Sequence, residues 1–178
     1  MLESLYRSLC RPGDAPIELE PGTVVGIWGL LAVALAFVAA GKIGVGGFGA
    51  FGIALLLLGA FLANWFWAGA GLSLLARLAG GRGTAESTLG ALAQAAWPLL
   101  LLPPVVALAD RNLFPGADAL VTAIAIWALV LGVAFLRRVH GLSWGKAVLA
   151  WITLGAVTVM TGLVGVLAGG ILTAMLIG

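Results

Sequence analysis

The sequence predicts an all-α integral membrane protein, a bundle of five transmembrane helices with a cytosolic amino terminus and an extracytoplasmic carboxyl terminus. Hydrophobic residues make up 62% and charged residues 9% of the 178-residue chain, whereas soluble domains average about 45–50% and about 25%. So few charged side chains could not cover a water-exposed surface. The charge-free runs are also long enough to cross a bilayer.

The spans are placed by the runs that lack charge. A membrane-spanning helix needs about 20 mainly apolar residues, because the hydrocarbon layer is about 30 Å thick and each residue rises about 1.5 Å. The predicted spans are residues 23–41, 50–76, 89–109, 118–137 and 146–168. They form one domain over residues 22–178, preceded by a short cytosolic or interfacial segment over residues 1–21.

Glycine and proline interrupt two of these runs. The stretch "GVGGFGAFG" over residues 44–52 is rich in glycine, which disfavours helix interiors, so we predict a loop there and a helix that begins near Ala50. The third span carries Pro98, Pro103 and Pro104. Each proline removes a backbone donor, so this span should be kinked.

The orientation follows from the distribution of lysine and arginine. An internal amino terminus puts seven cations in cytosolic segments and two, Lys42 and Arg111, outside, as the positive-inside rule requires. The seven are Arg7, Arg11, Arg77, Arg82, Arg137, Arg138 and Lys146. A cleaved signal peptide is the competing interpretation of the first span, but four acidic residues precede that span, which is unlike a positively charged leader.

The first residues have the pattern of a short interfacial helix. Leu2, Leu5, Tyr6 and Leu9 recur at helical spacing with polar residues between them, which suits a helix in the inner headgroup layer. Cys10 on this helix is either an acylation site or, more often in such settings, an apolar contact. It is the only cysteine, which excludes an intramolecular disulfide and a multi-cysteine metal site.

The stretch "FLRRVHGLSWGKAVLAW" is predicted to join spans four and five as a helical hairpin. Gly141 suits the left-handed end of one helix, and Ser143 is a good cap for the next. Positive charge in the last helical turn suits both the helix dipole and nearby lipid phosphates. The candidate contacts for cytosolic lipid or a partner are Arg137, Arg138, His140, Lys146, Arg77 and Arg82.

The same stretch contains "GLSWG", a G-x-S-x-G match that raises the alternative of a serine hydrolase. That chemistry needs a strand before the serine, and a histidine and an acid brought in from other elements. Here Ser143 begins a helix, and His140, the only histidine, lies three residues upstream. We therefore expect a capped turn, and no catalytic, metal-binding or cofactor-binding residue.

Few polar residues fall within the spans. Asn64 lies near the middle of span two and Gln94 near the cytosolic end of span three, as candidates for a polar core. Asn64 is flanked by Ala60 and Ala68, which favours an interhelical hydrogen bond over a substrate contact. Ionisable residues fall only at the ends of the spans, at Asp118, Arg137 and Lys146, and none lies in a span interior, which argues against proton-coupled or ion-coupled transport.

Span five carries small residues at spacings of four, which suit close helix packing within the bundle or between two copies. They are Thr161, Gly165, Gly169 and Thr173. The last ten residues, 169–178, either extend this helix or fold back.

Two stretches resemble the Yip family of Ypt/Rab-interacting membrane proteins, in its short prokaryotic form: "LLARLAGGRGTAESTLGALAQAAWPLLLLPP" and "IWALVLGVAFLRRVHGLSWGKAVLAW". Each pairs a cytosolic turn with apolar helices. The positions that carry the resemblance are Gly80, Gly81, Gly83, Trp97, Pro98, His140, Gly141, Ser143 and Lys146. Family members with long cytosolic segments bind Rab GTPases in vesicle traffic. This chain has about 21 residues before its first span, which leaves that partner open.

Three functional hypotheses follow. The resemblance favours a non-enzymatic membrane scaffold, in a bacterial cytoplasmic membrane, that contacts anionic lipid headgroups and other membrane proteins or itself, and no nucleic acid. A permease or channel for a neutral or lipid-like solute is the alternative, suggested by the broken third span. An intramembrane hydrolase that uses Ser143 and His140 is the least favoured.

Overall fold

A computed structural model describes the backbone of residues 21–110 and 115–177, and most side chains up to residue 162. Within these ranges the chain contains helices and no strand, which confirms the predicted all-α class. The helices are α1 (Pro21–Ile43), α2 (Gly47–Leu78), α3 (Ala85–Ala95), α4 (Leu102–Asp110), α5 (Ala117–His140) and α6 (Trp144–Ile177), and a 3-10 helix (Trp97–Leu101) joins α3 to α4.

Five helical stretches in the described chain are long and apolar enough to cross a membrane, as the sequence predicts. Four are formed by α1, α2, α5 and α6, and the other by α3, the 3-10 helix and α4 together. The predicted interfacial helix over residues 1–20 lies outside the described residues. The cytosolic location of the amino terminus stays a prediction.

The predicted loop over residues 44–52 is wrong for most of its length. α1 ends at Ile43 and α2 begins at Gly47, so only residues 44–46 turn the chain. Gly44 has a φ of 69°, and Val45 N donates to Ala40 O at 3.2 Å. A helical glycine costs about 1 kcal/mol relative to alanine, whereas each backbone group left unsatisfied in lipid costs several. The glycine-rich segment therefore stays helical.

The third span is interrupted where its prolines predict it. Pro98 lies at the start of the 3-10 helix and is buried, and Trp97 beside it is half-buried. Pro103 and Pro104 lie in the first turn of α4, where their missing N–H groups cost little because helix starts leave such donors unpaired. At the other end of the chain, α6 continues as one helix to Ile177 rather than folding back.

The helices approach one another most closely at glycines. A Cβ added to Gly71 of α2 would lie 2.5 Å from Leu154 of α6, and one added to Gly132 of α5 would lie 2.7 Å from Trp151. Small residues are the usual means of close helix packing in membranes. The apolar cluster that joins α2, α3, α5 and α6 consists of Leu72, Ala76, Leu92, Val133, Leu136, Leu142, Ala147, Ala150 and Leu154.

Large apolar side chains cover much of the outer surface of the bundle. Phe48 is 96% exposed, and Leu56 and Met160 are also largely exposed. A soluble protein rarely leaves so much apolar surface in contact with water. We therefore conclude that lipid surrounds these helices.

Candidate lipid and partner contact face

Two short connections meet at one end of the bundle. One is the loop over residues 79–84 between α2 and α3, and the other is the turn over residues 141–143 between α5 and α6. Arg82 N donates to His140 O at 3.2 Å, and the Lys146 ammonium donates to Ala79 O at 2.7 Å. These bonds join the ends of four helices into one surface.

Each connection has a glycine at or one residue past the C-cap of the preceding helix. Gly80 has a φ of 92° and Gly141 a φ of 65°, both in the left-handed region that favours glycine. Past α2, the Gly81 N–H returns to Ala76 O at 2.8 Å, and past α5 the Leu142 N–H returns to Arg137 O at 3.0 Å. Both turns therefore satisfy carbonyls at the helix ends. The stop at Gly141 and the start of α6 at Trp144 agree with the sequence prediction.

α3 begins with a capping box that the sequence analysis missed. Ser87 N donates to Thr84 Oγ1 at 3.1 Å, and Thr84 N donates to Ser87 Oγ at 3.0 Å. Part of the signal was present in the sequence, because threonine is a favoured cap before a helix, although Ser87 stands where the usual capping box has Glu or Gln. The cap fixes the direction in which the chain leaves the loop.

His140 is buried between the two connections, with 2% of its surface exposed. Its Nε2 lies 2.8 Å from Thr88 Oγ1, and the Thr88 hydroxyl donates to Thr84 O at 2.8 Å. The Thr88 hydroxyl therefore links the imidazole to the start of α3. The prediction that His140 contacts lipid or a partner is wrong, because the ring is enclosed by its own chain.

The glycines of the "GGRG" loop allow this enclosure. A Cβ on Gly81 would lie 2.7 Å from His140 Cβ, and one on Gly83 would lie 2.6 Å from Val139 Cγ1. Any larger residue would push the loop away from α5. Nε2 is hydrogen-bonded to Thr88 and Nδ1 has no hydrogen-bond partner among the described residues, so neither nitrogen is hydrogen-bonded to Ser143.

The remaining predicted contacts form one exposed surface, which we call the basic face. Arg137 lies over the Trp144 ring, with its guanidinium carbon 5.1 Å from the ring centroid. Glu86, in the first turn of α3, is an exposed acidic residue near this end. The basic face consists of Arg77, Arg82, Arg137, Arg138 and Lys146, all exposed.

Asn64 is far from this face and lines a central cavity of about 290 Å³. The walls of the cavity are otherwise apolar and include Trp28, Trp65, Leu129 and Trp151. Asn64 is exposed and has no hydrogen bond to another described residue. The interhelical hydrogen bond predicted for it is therefore absent from the described part of the bundle.

The other predicted packing positions have different outcomes. Gln94 is half-buried on α3. Thr161 is exposed, and its hydroxyl donates to Val157 O of the same helix at 2.8 Å. Gly165 and Gly169 lie on α6, but their surroundings lie outside the described side chains. Across the described residues, no group of three His, Cys, Asp or Glu side chains is placed to hold a metal ion.

Comparison with known proteins gives one match. The family model described as the Yip1 domain matches residues 18–175 of the chain. No curated protein matches it, and no solved structure matches it.

Proposed function

Since this chain belongs to the Yip1 family, we propose that it is a non-enzymatic membrane scaffold whose basic face binds anionic lipid and other membrane proteins. One observation carries the proposal. The loop over residues 79–84 and the turn over residues 141–143 are locked together by the Thr88–His140, Arg82–His140 and Lys146–Ala79 hydrogen bonds. A bacterial cytoplasmic membrane is the proposed location.

The rigidity of this end supports a role in binding. A surface that is already ordered loses less conformational entropy when it meets a partner than a flexible loop does. Arginine and lysine side chains at the cytosolic boundary attract anionic lipid with about 1 kcal/mol each. The basic face gathers five of the nine cations of the chain on one such ordered surface.

Site-directed photocrosslinking in native membranes tests the scaffold. A photoreactive residue at Leu78, which is 77% exposed beside Arg77, should capture a discrete protein partner or a second copy of the chain. The matched control places the same photoreactive residue at position 48, in place of Phe48 near the opposite end of α2. There it should capture lipid alone. Arg77→Gln with Arg82→Gln should remove the adduct formed at position 78. Identical adducts from both positions, unaffected by the arginine changes, would contradict the proposal.

The central cavity favours one alternative, a permease for a neutral or lipid-like solute. An amide side chain such as that of Asn64 raises the free energy of the protein when it lies in hydrocarbon without a hydrogen-bond partner. Polar groups at that depth commonly mark a solute path. Asn64→Ala should then abolish solute flux through reconstituted vesicles, with Ala63→Ser, a change at an exposed neighbour, as the control. Unchanged flux would exclude this alternative.

A further inference from the structure

Two grooves run along the outer surface of the α5–α6 hairpin and meet at Val130 and Trp144. The first encloses about 510 Å³ and extends past Ala134 to Arg137 and Arg138. The second encloses about 400 Å³ and is lined entirely by apolar side chains, Ile152 among them. The hairpin therefore has a charged end beside two adjoining grooves that share Val130 and Trp144.

The charged end suits a phosphate. Both arginines are exposed residues, and Arg137 is already oriented by its contact with the Trp144 ring. The planar fork of arginine matches two oxygens of a phosphate at once, and its charge strengthens each hydrogen bond. Tryptophan is common at the depth of lipid headgroups, where its ring bridges apolar and polar regions.

The apolar parts of the two grooves suit acyl chains. Val130 is 52% exposed and Ile152 63% exposed, on helices whose outer surface is solvated by lipid. A free phosphate would leave both apolar parts unused, and a single-chain amphiphile would leave one. A diacyl phospholipid matches the whole feature in charge, in the number of its chains and in its orientation in the bilayer.

We propose that the α5–α6 hairpin binds one anionic diacyl phospholipid, with the phosphate at Arg137 and Arg138 and one acyl chain in each groove. This proposal deepens the lipid-binding part of the proposed function and depends on it. It differs from diffuse attraction because it assigns one lipid to one site. Binding should therefore depend on which arginines are present and not only on their number.

Native mass spectrometry of the full chain in detergent tests the site. The protein is equilibrated with equal amounts of phosphatidylglycerol and phosphatidylcholine that have the same acyl chains. The wild type should retain one phosphatidylglycerol. Arg137→Gln with Arg138→Gln should reduce that adduct about tenfold or more, because two charge-assisted contacts are lost. Arg77→Gln with Arg82→Gln removes the same charge from the same basic face but lies outside both grooves, so it should reduce the adduct clearly less than the Arg137 and Arg138 pair does.

A second pair of measurements tests the acyl chains. Ala134→Trp keeps both arginines but fills the first groove, so it should reduce phosphatidylglycerol retention. Lysophosphatidylglycerol, with one chain, should bind more weakly than the diacyl lipid. The melting temperature of every variant in the same detergent identifies any loss that is due to unfolding.

Four outcomes would overturn the proposal. Equal losses from the two glutamine pairs would show diffuse charge attraction, in which case the general lipid role and the crosslinking result stand. Equal retention of phosphatidylglycerol and phosphatidylcholine by the wild type would contradict the preference for anionic lipid on which the proposed function depends. Equal binding of lysophosphatidylglycerol and the diacyl lipid would contradict the assignment of one acyl chain to each groove. A loss of dimer rather than of lipid in Arg137→Gln with Arg138→Gln would make the grooves a self-association surface.

Discussion

At the scale of single residues, His140 is a structural side chain. It lies in a stretch that also holds two arginines, which suggests a solvated, charged position. Instead the ring is buried, and its Nε2 is hydrogen-bonded to Thr88, a residue on a different helix. The contact connects α5 to α3, so it stabilises the basic face without being part of it.

Thr88→Val tests that role. Valine has nearly the shape of threonine but no hydroxyl, so the buried His140 Nε2 would lose its hydrogen-bond partner. Such a loss costs about 1–3 kcal/mol. The melting temperature in detergent should fall by several degrees, since about 1 kcal/mol corresponds to about 2–4 °C for a chain of this size. Thr88→Ser keeps the hydroxyl and is the control. A melting temperature unchanged by Thr88→Val would show that the hydrogen bond contributes nothing to stability.

At the scale of helices, glycines set the distances within the bundle. The stripe of Gly165 and Gly169 was singled out from its spacing, whereas Gly71 and Gly132, which make the close contacts in the described structure, were not. Spacing identifies a small-residue face but does not say which neighbour covers it. The contact of Gly132 with Trp151 limits how closely α5 and α6 lie, and Trp151 also lines the second groove.

Gly132→Ala should therefore destabilise the hairpin. The added methyl would lie 2.7 Å from Trp151 Cζ2, and the large ring has little freedom to move. Overpacking of this kind costs about 1–3 kcal/mol, which should lower the thermal stability in detergent. Gly155→Ala on α6 is the matched control, because nothing lies within 4 Å of its added Cβ. If both variants melt at the same temperature, the helices can separate without cost.

At the scale of the whole molecule, the two connections that carry the basic face lie at the same end because four helices cross in alternating directions. The turn over residues 44–46 lies at the other end of α2 and begins two residues after Lys42, which is in the last turn of α1 and is predicted to be extracytoplasmic. Charge on one end of an apolar bundle is the pattern that orients membrane proteins during insertion. The basic face is accordingly predicted to be cytosolic.

Cysteine labelling in intact cells tests this orientation. Cys10 is first replaced by serine, which removes the only native thiol. In that background Val45→Cys should react with a membrane-impermeant maleimide from outside, because the turn over residues 44–46 is predicted to be extracytoplasmic. Ser143→Cys, at an exposed position of the other end, should react only after permeabilisation. Labelling of Ser143→Cys in intact cells would reverse the topology and place the basic face outside.

Much of the architecture was predictable from the sequence. The five spans, the interruption at Pro98 and the hairpin at Gly141 depend on local properties: the apolar length of a segment, a missing backbone donor and the conformational freedom of glycine. These properties act within a few residues of the chain. They are therefore readable without knowledge of the neighbours in space.

The sequence by itself determined that lipid surrounds this chain and that its cations collect in a few connections, because the preference of each segment for lipid or water sums along the chain. Only the tertiary structure decided that His140 is enclosed and that Asn64 faces a cavity. It also decided that Trp144 lines two adjoining grooves, one of which includes Arg137. The Thr88–His140 hydrogen bond joins residues 52 positions apart. Contacts at such separations depend on how whole helices pack, which no local pattern specifies.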